Sequence, residues 1–181
     1  MYPGSFNPPT TAHEAIIEAA LAGYGLDRLD LAVSRVALAK EDVVRPRLEH
    51  RIDVIETWLA DLPGVGLEVT DAQLLADIAA GYDVLVVGAD KWHQIHDPSF
   101  YGSEAARDEA LALLPTVAVV PRPPHPVPDE LALAVDPRHS ATSSSAARAG
   151  DRRLMVDAAA VFDRCTGAWT DPARYDRWLA A

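Results

Sequence analysis

The chain has a single cysteine, Cys165, in 181 residues. That excludes an intrachain disulfide framework and any all-cysteine metal site, and a reducing cytoplasmic location is the expectation. No apolar run approaches the ~18–20 residues that cross a bilayer. No basic, apolar-cored leader follows Met1. Aromatic residues are sparse at 7%. Lysine is sparser: of 16 basic residues only Lys40 and Lys91 are lysines, both expected in loops after strands, against 27 acidic residues. The resulting net charge of -11 disfavours nucleic acids and anionic membranes as partners. A small anionic ligand held by local donors is still allowed, and so is a homo-oligomer. What is present is 49% hydrophobic and 24% charged residues, a globular balance of one domain's size.

Short β-rich runs alternate with longer helical patterns. Residues 29–33 (LDLAV), 65–69 (VGLEV), 84–87 (VLVV) and 117–120 (VAVV) read as strands, and the last two have the unbroken apolarity of strands buried on both faces. Residues 131–135 form a weaker strand pattern. Helices are predicted over 11–23, 46–62, 71–80, 103–114 and from 145 onward. Leu48, Ile52, Ile55 and Leu59 recur at helical spacing and mark a core face. Alternation of this kind predicts an α/β fold with an open parallel sheet and flanking helices. Residues 35–45 and the proline-dense 121–129 read as loops. A terminal helix is expected within 171–181. The reading divides the chain into a core at 1–150 and a helical segment at 151–181 packed on the same domain.

Three segments carry chemistry. In Gly4-Ser5-Phe6-Asn7-Pro8-Pro9-Thr10-Thr11-Ala12-His13, a turn feeds a helix with a histidine in its first turn. Gly4 lets a backbone come close to a ligand, Thr10 or Thr11 caps the helix, and a helix start favours anions. A plain turn and capped helix with an exposed histidine accounts for the composition equally well. In Ser143-Ser144-Ser145-Ala146-Ala147-Arg148, Ser145 as N-cap would put Arg148 in the first turn, where a cation opposes the helix dipole unless a phosphate binds. Serine runs are more often flexible linkers. In VLVVGADKW a buried strand ends at Gly88, followed by Asp90 and Trp92; an acceptor for hydroxyls and a stacking surface are one reading. A helix cap and peripheral core are the better one when the segment is taken alone. His93, His96 and Asp97 have metal-like spacing but lack a third strong ligand, so no metal site is predicted. His50 falls on the polar side of its helix, His125 and His139 fall in loops, and Cys165 reads as structural.

Taken together, these segments resemble the HIGH-type nucleotidyltransferases, and within them the nicotinate/nicotinamide mononucleotide adenylyltransferases. GSFNPPTTAH is similar to their opening G-S-F-N-P-x-T-x-x-H, and SSSAAR to their S-S-T-x-I-R. VVGAD is similar to their G-x-D strand end, and VVPRP to the arginine after their next strand. Four matches in family order across residues 4–148 are a specific signal. The resemblance implies a Rossmann-like fold and AMP transfer from ATP, with Mg²⁺, to a mononucleotide phosphate in NAD biosynthesis. It implies that His13 and Thr10 hold the triphosphate and that Arg148 stabilises the departing pyrophosphate with Ser144 and Ser145. Gly4, Ser5 and Phe6 would form a backbone cradle, and Gly88 and Asp90 would face the adenosine. Trp92, Arg122 and Lys40 would lie on the acceptor side.

The chain departs from the pattern in places. Thr10 and Ala12 replace the His and Gly of the commoner H-x-G-H form, and Ser145 and Ala147 soften the second motif. Only Met1, Tyr2 and Pro3 precede Gly4, too few for a central strand of ~5 residues. A truncated first strand is therefore expected: the chain starts late or, if Met1 is the true start, the sheet has a gap. Pantetheine phosphate as acceptor, CTP as donor, and nucleotide binding without catalysis are the rival readings.

Overall fold

The computed structural model describes residues 1–35 and 45–181. The apolar runs form parallel strands. β1 (Tyr2–Pro3) pairs with β2 (Leu29–Ser34), β2 with β3 (Val65–Thr70), and β4 (Val84–Gly88) with β5 (Thr116–Val120). Met1 joins the two ladders: its nitrogen donates to the Val84 carbonyl at 2.8 Å, and its own carbonyl accepts from Val86 N at 2.9 Å. The spatial order is therefore β3-β2-β1-β4-β5. That is a doubly wound order, and its ligand crevice opens at the carboxyl ends of β1 and β4.

The expected gap in the sheet is not found. Two strand residues and the backbone of Met1 occupy the central position, paired with β2 on one side and β4 on the other. Pro3 has no N–H to donate, but Gly4 N continues the pairing to the Ala32 carbonyl at 3.0 Å. The weak strand at 131–135 reduces to one rung, Leu133 N to the Val119 carbonyl at 2.8 Å.

The helices differ from the pattern mainly at their ends. α1 (Thr11–Tyr24) runs through Gly23 and stops at Gly25, whose φ of 60° supplies the left-handed cap. α2 (Leu48–Leu59) starts two residues after Pro46. α3 (Leu75–Ile78) is shorter than expected. Thr70 Oγ1 accepts from Ala72 N at 3.1 Å and Ser34 Oγ donates to the Ala72 carbonyl at 3.0 Å, which holds the chain in a turn there. α4 (Ala89–Gln94) follows β4 directly. α5 (Glu104–Ala112) is capped by Ser103, whose Oγ accepts from Ala106 N at 3.1 Å. The predicted long helix after 145 divides into α6 (Ser144–Arg148), a 3₁₀ turn at Arg152–Leu154 and α7 (Asp157–Thr166).

α1, α2, α7 and α8 (Pro172–Leu179) share one apolar core with the sheet, through Ile16, Ile17, Val54, Ile55, Ala159, Trp169 and Tyr175. His50 is not simply solvated. Its Nδ1 lies 2.6 Å from Tyr175 Oη, amid the rings of Phe162, Tyr175 and Trp178. Cys165 is exposed rather than structural. Among the described residues no helix is long and apolar enough to cross a membrane.

Candidate active site

The opening loop leaves β1 at the crevice and is packed from within. A Cβ on Gly4 would stand 2.9 Å from Phe6 Cζ. The glycine thus makes room for the Phe6 ring. Phe6 is buried and holds φ at 41°, a left-handed conformation that costs a bulky residue free energy and that the surroundings must enforce. Its ring meets Tyr2 edge-on at 5.4 Å and His13 at 5.1 Å. Any contribution of Phe6 to a cradle is therefore through its backbone. Ser5 is anchored through its carbonyl, which accepts from Arg51 Nη1 at 3.1 Å.

Thr10, fully buried, stands at the N-cap of α1. Its backbone N–H donates to His13 Nδ1 at 2.9 Å, and its Oγ1 is also 2.9 Å from that nitrogen. This is a capping box with histidine in the place usually taken by Glu or Gln. A backbone N–H can only donate, so Nδ1 accepts and the neutral ring carries its proton on Nε2. Burial, assisted by the positive charge of Arg122, pushes the His13 pKa down to about 3. At neutral pH the side chain is an uncharged donor.

The three serines of the second motif have separate tasks. Ser143, not Ser145, caps α6, its Oγ accepting from Ala146 N at 3.1 Å. Arg148 consequently ends the helix instead of starting it, and its cation agrees with the helix dipole. The shift follows from Ser143 holding the extended backbone a cap requires, with φ at -145°. Ser144 Oγ donates to the Pro8 carbonyl at 2.8 Å, Arg148 Nη1 to the Asn7 carbonyl, and Arg148 Nη2 to Ser145 Oγ at 3.1 Å. The serine motif is thereby docked on the opening loop, with Arg148 exposed beside it.

Across the crevice, Gly88 caps α4, and a Cβ there would stand 2.6 Å from Asp90 Oδ1. Asp90 Oδ1 is 3.8 Å from Arg122 Nη1, both side chains about half exposed. Burial raises the Tyr2 pKa; Arg122 opposes the shift and Asp90 adds to it. Tyr2, His13, Asp90 and Arg122 therefore share one electrostatic neighbourhood. Lys91 lies in α4 rather than a loop. Trp92 packs on the smaller core and edge-on to His96 at 4.4 Å. Lys40 lies outside the described residues. Among those residues no group of three His, Cys, Asp or Glu could hold a metal. His93 and His96 instead lie 2.7 Å from the carbonyls of Pro126 and Trp92.

Sequence reasoning missed the supports of the loop. Asn7 is buried; its Oδ1 accepts from Trp169 Nε1 at 2.6 Å and its Nδ2 donates to the Arg45 carbonyl at 3.4 Å. Trp169 is held by Asp163, whose Oδ1 accepts from Trp169 N at 2.7 Å. Burial works to raise the Asp163 pKa, but bonds from Thr170, Trp169 and Arg152 hold it below the usual carboxylate range. The Asn-Pro pair read only as a turn, and no local pattern linked it to a tryptophan 162 positions away.

A family model described as cytidylyltransferase-like matches residues 1–150. A probable nicotinate-nucleotide adenylyltransferase from Albidiferax ferrireducens is 33% identical over 84 residues. That stretch is 46% of this chain and 40% of the relative, so the chain spans less than half the length of the curated relative it matches. Among solved structures, nicotinic acid mononucleotide adenylyltransferase from Plasmodium falciparum, complexed with NaAD, superposes with a TM-score of 0.57. At 14% identity, covering 99% of this chain and 93% of the other, that likeness is one of fold. With the family model spanning the opening loop, both strand ends and the serine motif, the chain belongs to the cytidylyltransferase-like family of nucleotidyltransferases.

Proposed function

We propose that the protein transfers AMP from ATP to the phosphate of a pyridine mononucleotide, with nicotinate mononucleotide as first choice. An acceptor phosphate oxygen attacks the α-phosphorus, the new P–O bond forms, the bond to the bridging oxygen of the β-phosphate breaks, and pyrophosphate leaves. No covalent enzyme intermediate is required, so the protein contributes position and charge. His13 donates Nε2–H to a phosphate oxygen as a neutral group and does not relay a proton. Arg148 supplies a cation to the departing pyrophosphate. The backbone of Gly4 and Ser5 lines the phosphate path, Gly88 and Asp90 face the adenosine, and Arg122, Trp92 and Lys40 serve the acceptor side. Mg²⁺ accompanying ATP would neutralise phosphate charge.

The observation that carries this reading is the docking of Ser144 and Arg148 on the Asn7-Pro8 backbone, two and three residues before Thr10 of the Thr10–His13 pair. The names of the sequence relative and the fold neighbour favour nicotinate over other acceptors. Pyrophosphate release should be assayed over ATP and CTP, each with nicotinate mononucleotide, nicotinamide mononucleotide and pantetheine phosphate. Turnover should be highest with ATP and nicotinate mononucleotide and fall about 10²-fold or more in His13→Ala. Turnover only with CTP or pantetheine phosphate would reassign the substrate. Nucleotide binding without turnover in any pair would overturn the enzymatic reading.

A further inference from the structure

Arg51 is an expensive residue in its place. It sits inside α2 with 7% of its surface exposed, among core positions. Its Nε has no hydrogen-bond partner. Among the described residues it forms no ion pair, and burial lowers its pKa with no carboxylate to oppose the effect. A buried, unpaired guanidinium opposes folding, and an apolar side chain of similar length would pack there at lower cost. The bond it does make is long-range and specific. Nη1 donates to the carbonyl of Ser5, 46 positions away and immediately before Phe6.

Phe6 is the residue with positive φ outside glycine among the described residues. A strained conformation of this kind persists only when neighbours over-determine it. The Ser5 carbonyl belongs to the peptide unit that sets the Phe6 φ angle. A donor fixing that carbonyl therefore fixes the direction of the Phe6 ring. The ring in turn packs on His13 at 5.1 Å and on Tyr2 at 5.4 Å. Path and geometry run in one direction, from α2 through the loop to the imidazole.

We infer that Arg51 is a positioning residue: its guanidinium holds the Ser5 carbonyl, and through Phe6 it sets the placement of His13 at the phosphate site. Its bearing on turnover rests on the function proposed above; its bearing on His13 does not.

The test uses Arg51→Met, which keeps length and apolar packing, and Arg51→Lys, which keeps the charge but not the fork. The imidazole nitrogens of His13 are followed by NMR against pH without substrate. The groups facing His13 are Thr10 on its own helix turn, Tyr2 and Phe6 from the β1 side, and Arg122 from the loop after β5. In the wild type His13 should stay neutral to about pH 3. In Arg51→Met the released loop should let water reach the ring and raise the midpoint by about one unit or more. Arg51→Lys should lie between the two. In the transfer assay kcat should fall about tenfold or more in Arg51→Met, with partial recovery in Arg51→Lys and little change in KM for ATP. An unmoved His13 midpoint in folded Arg51→Met overturns the inference, even if stability has dropped. Should that variant fail to fold, Arg51→Lys decides in the same way. Absence of wild-type turnover would sink the proposed activity but leave the NMR result as the judge of Arg51.

Discussion

The two loops that frame the crevice are built on opposite plans. The opening loop, residues 4–10, is mostly buried and tied down by remote parts of the chain. Ala32, Arg51, Ser144, Arg148 and Trp169 each hold one of its backbone or side-chain groups. The loop after β5, residues 121–128, is mostly exposed and has fewer hydrogen-bonded ties among the described residues: His125 N on the Arg122 carbonyl at 3.0 Å within the loop and, from outside it, His93 with the Pro126 carbonyl. One loop is fixed before any ligand arrives. The other presents Arg122 on a proline-stiffened surface segment. Under the proposed function, the contrast fits a first loop that positions phosphates and a second that meets the acceptor.

That contrast can be broken at its anchors. The largest effect is expected from Arg148→Ala, which removes both a cation and the tie to Asn7; kcat/KM for adenylyl transfer should fall about 10²-fold or more. A loss confined to KM would mean that the guanidinium only binds substrate. Trp169→Phe leaves the buried Asn7 Oδ1 without its donor and should cost about 1–3 kcal/mol in urea unfolding. An unchanged midpoint would show that Asn7 finds another partner and that the loop is less fixed than described.

The pH dependence of stability sharpens the same point. The unfolded chain takes up a proton on His13 near pH 6.5, the folded chain only near pH 3. The contribution of the neutral, part-buried ring is complete above pH 6.5 and declines as the pH falls toward 3. His13→Gln should flatten that part of the unfolding-midpoint profile, and identical slopes in the two proteins would contradict it. The smallest effect is expected from Arg122→Ala. Removing a secondary cause of the low His13 pKa should raise the His13 midpoint slightly, by NMR, and alter acceptor KM more than kcat. A large upward shift would mean that charge rather than burial keeps the ring neutral.

The α/β class and the parallel strands were legible because unbroken runs such as VLVV and VAVV admit few other structures. The opening and serine motifs were legible because residue types at fixed spacing survive without knowledge of the fold. Helix ends were not, since Ser143 and Ser145 are chemically alike and only backbone conformation selects the cap. The supports of the loop were hidden for another reason. Arg51 and Trp169 belong to none of the sequence motifs. Each gains its meaning from a contact across the fold that no local pattern encodes. The demand on Gly4 was hidden in the same way, since the group against its missing Cβ is Phe6, two residues on.

The central claim is that the imidazole of the first motif and the guanidinium of the second act on one phosphate site. A double-mutant cycle of His13→Ala and Arg148→Ala, read as kcat/KM for pyrophosphate release from ATP, tests it most directly. Two groups working on the same transition state should give a double variant whose fold-loss is well below the product of the two single fold-losses. Strictly multiplicative losses would place the two side chains in separate tasks and contradict the account.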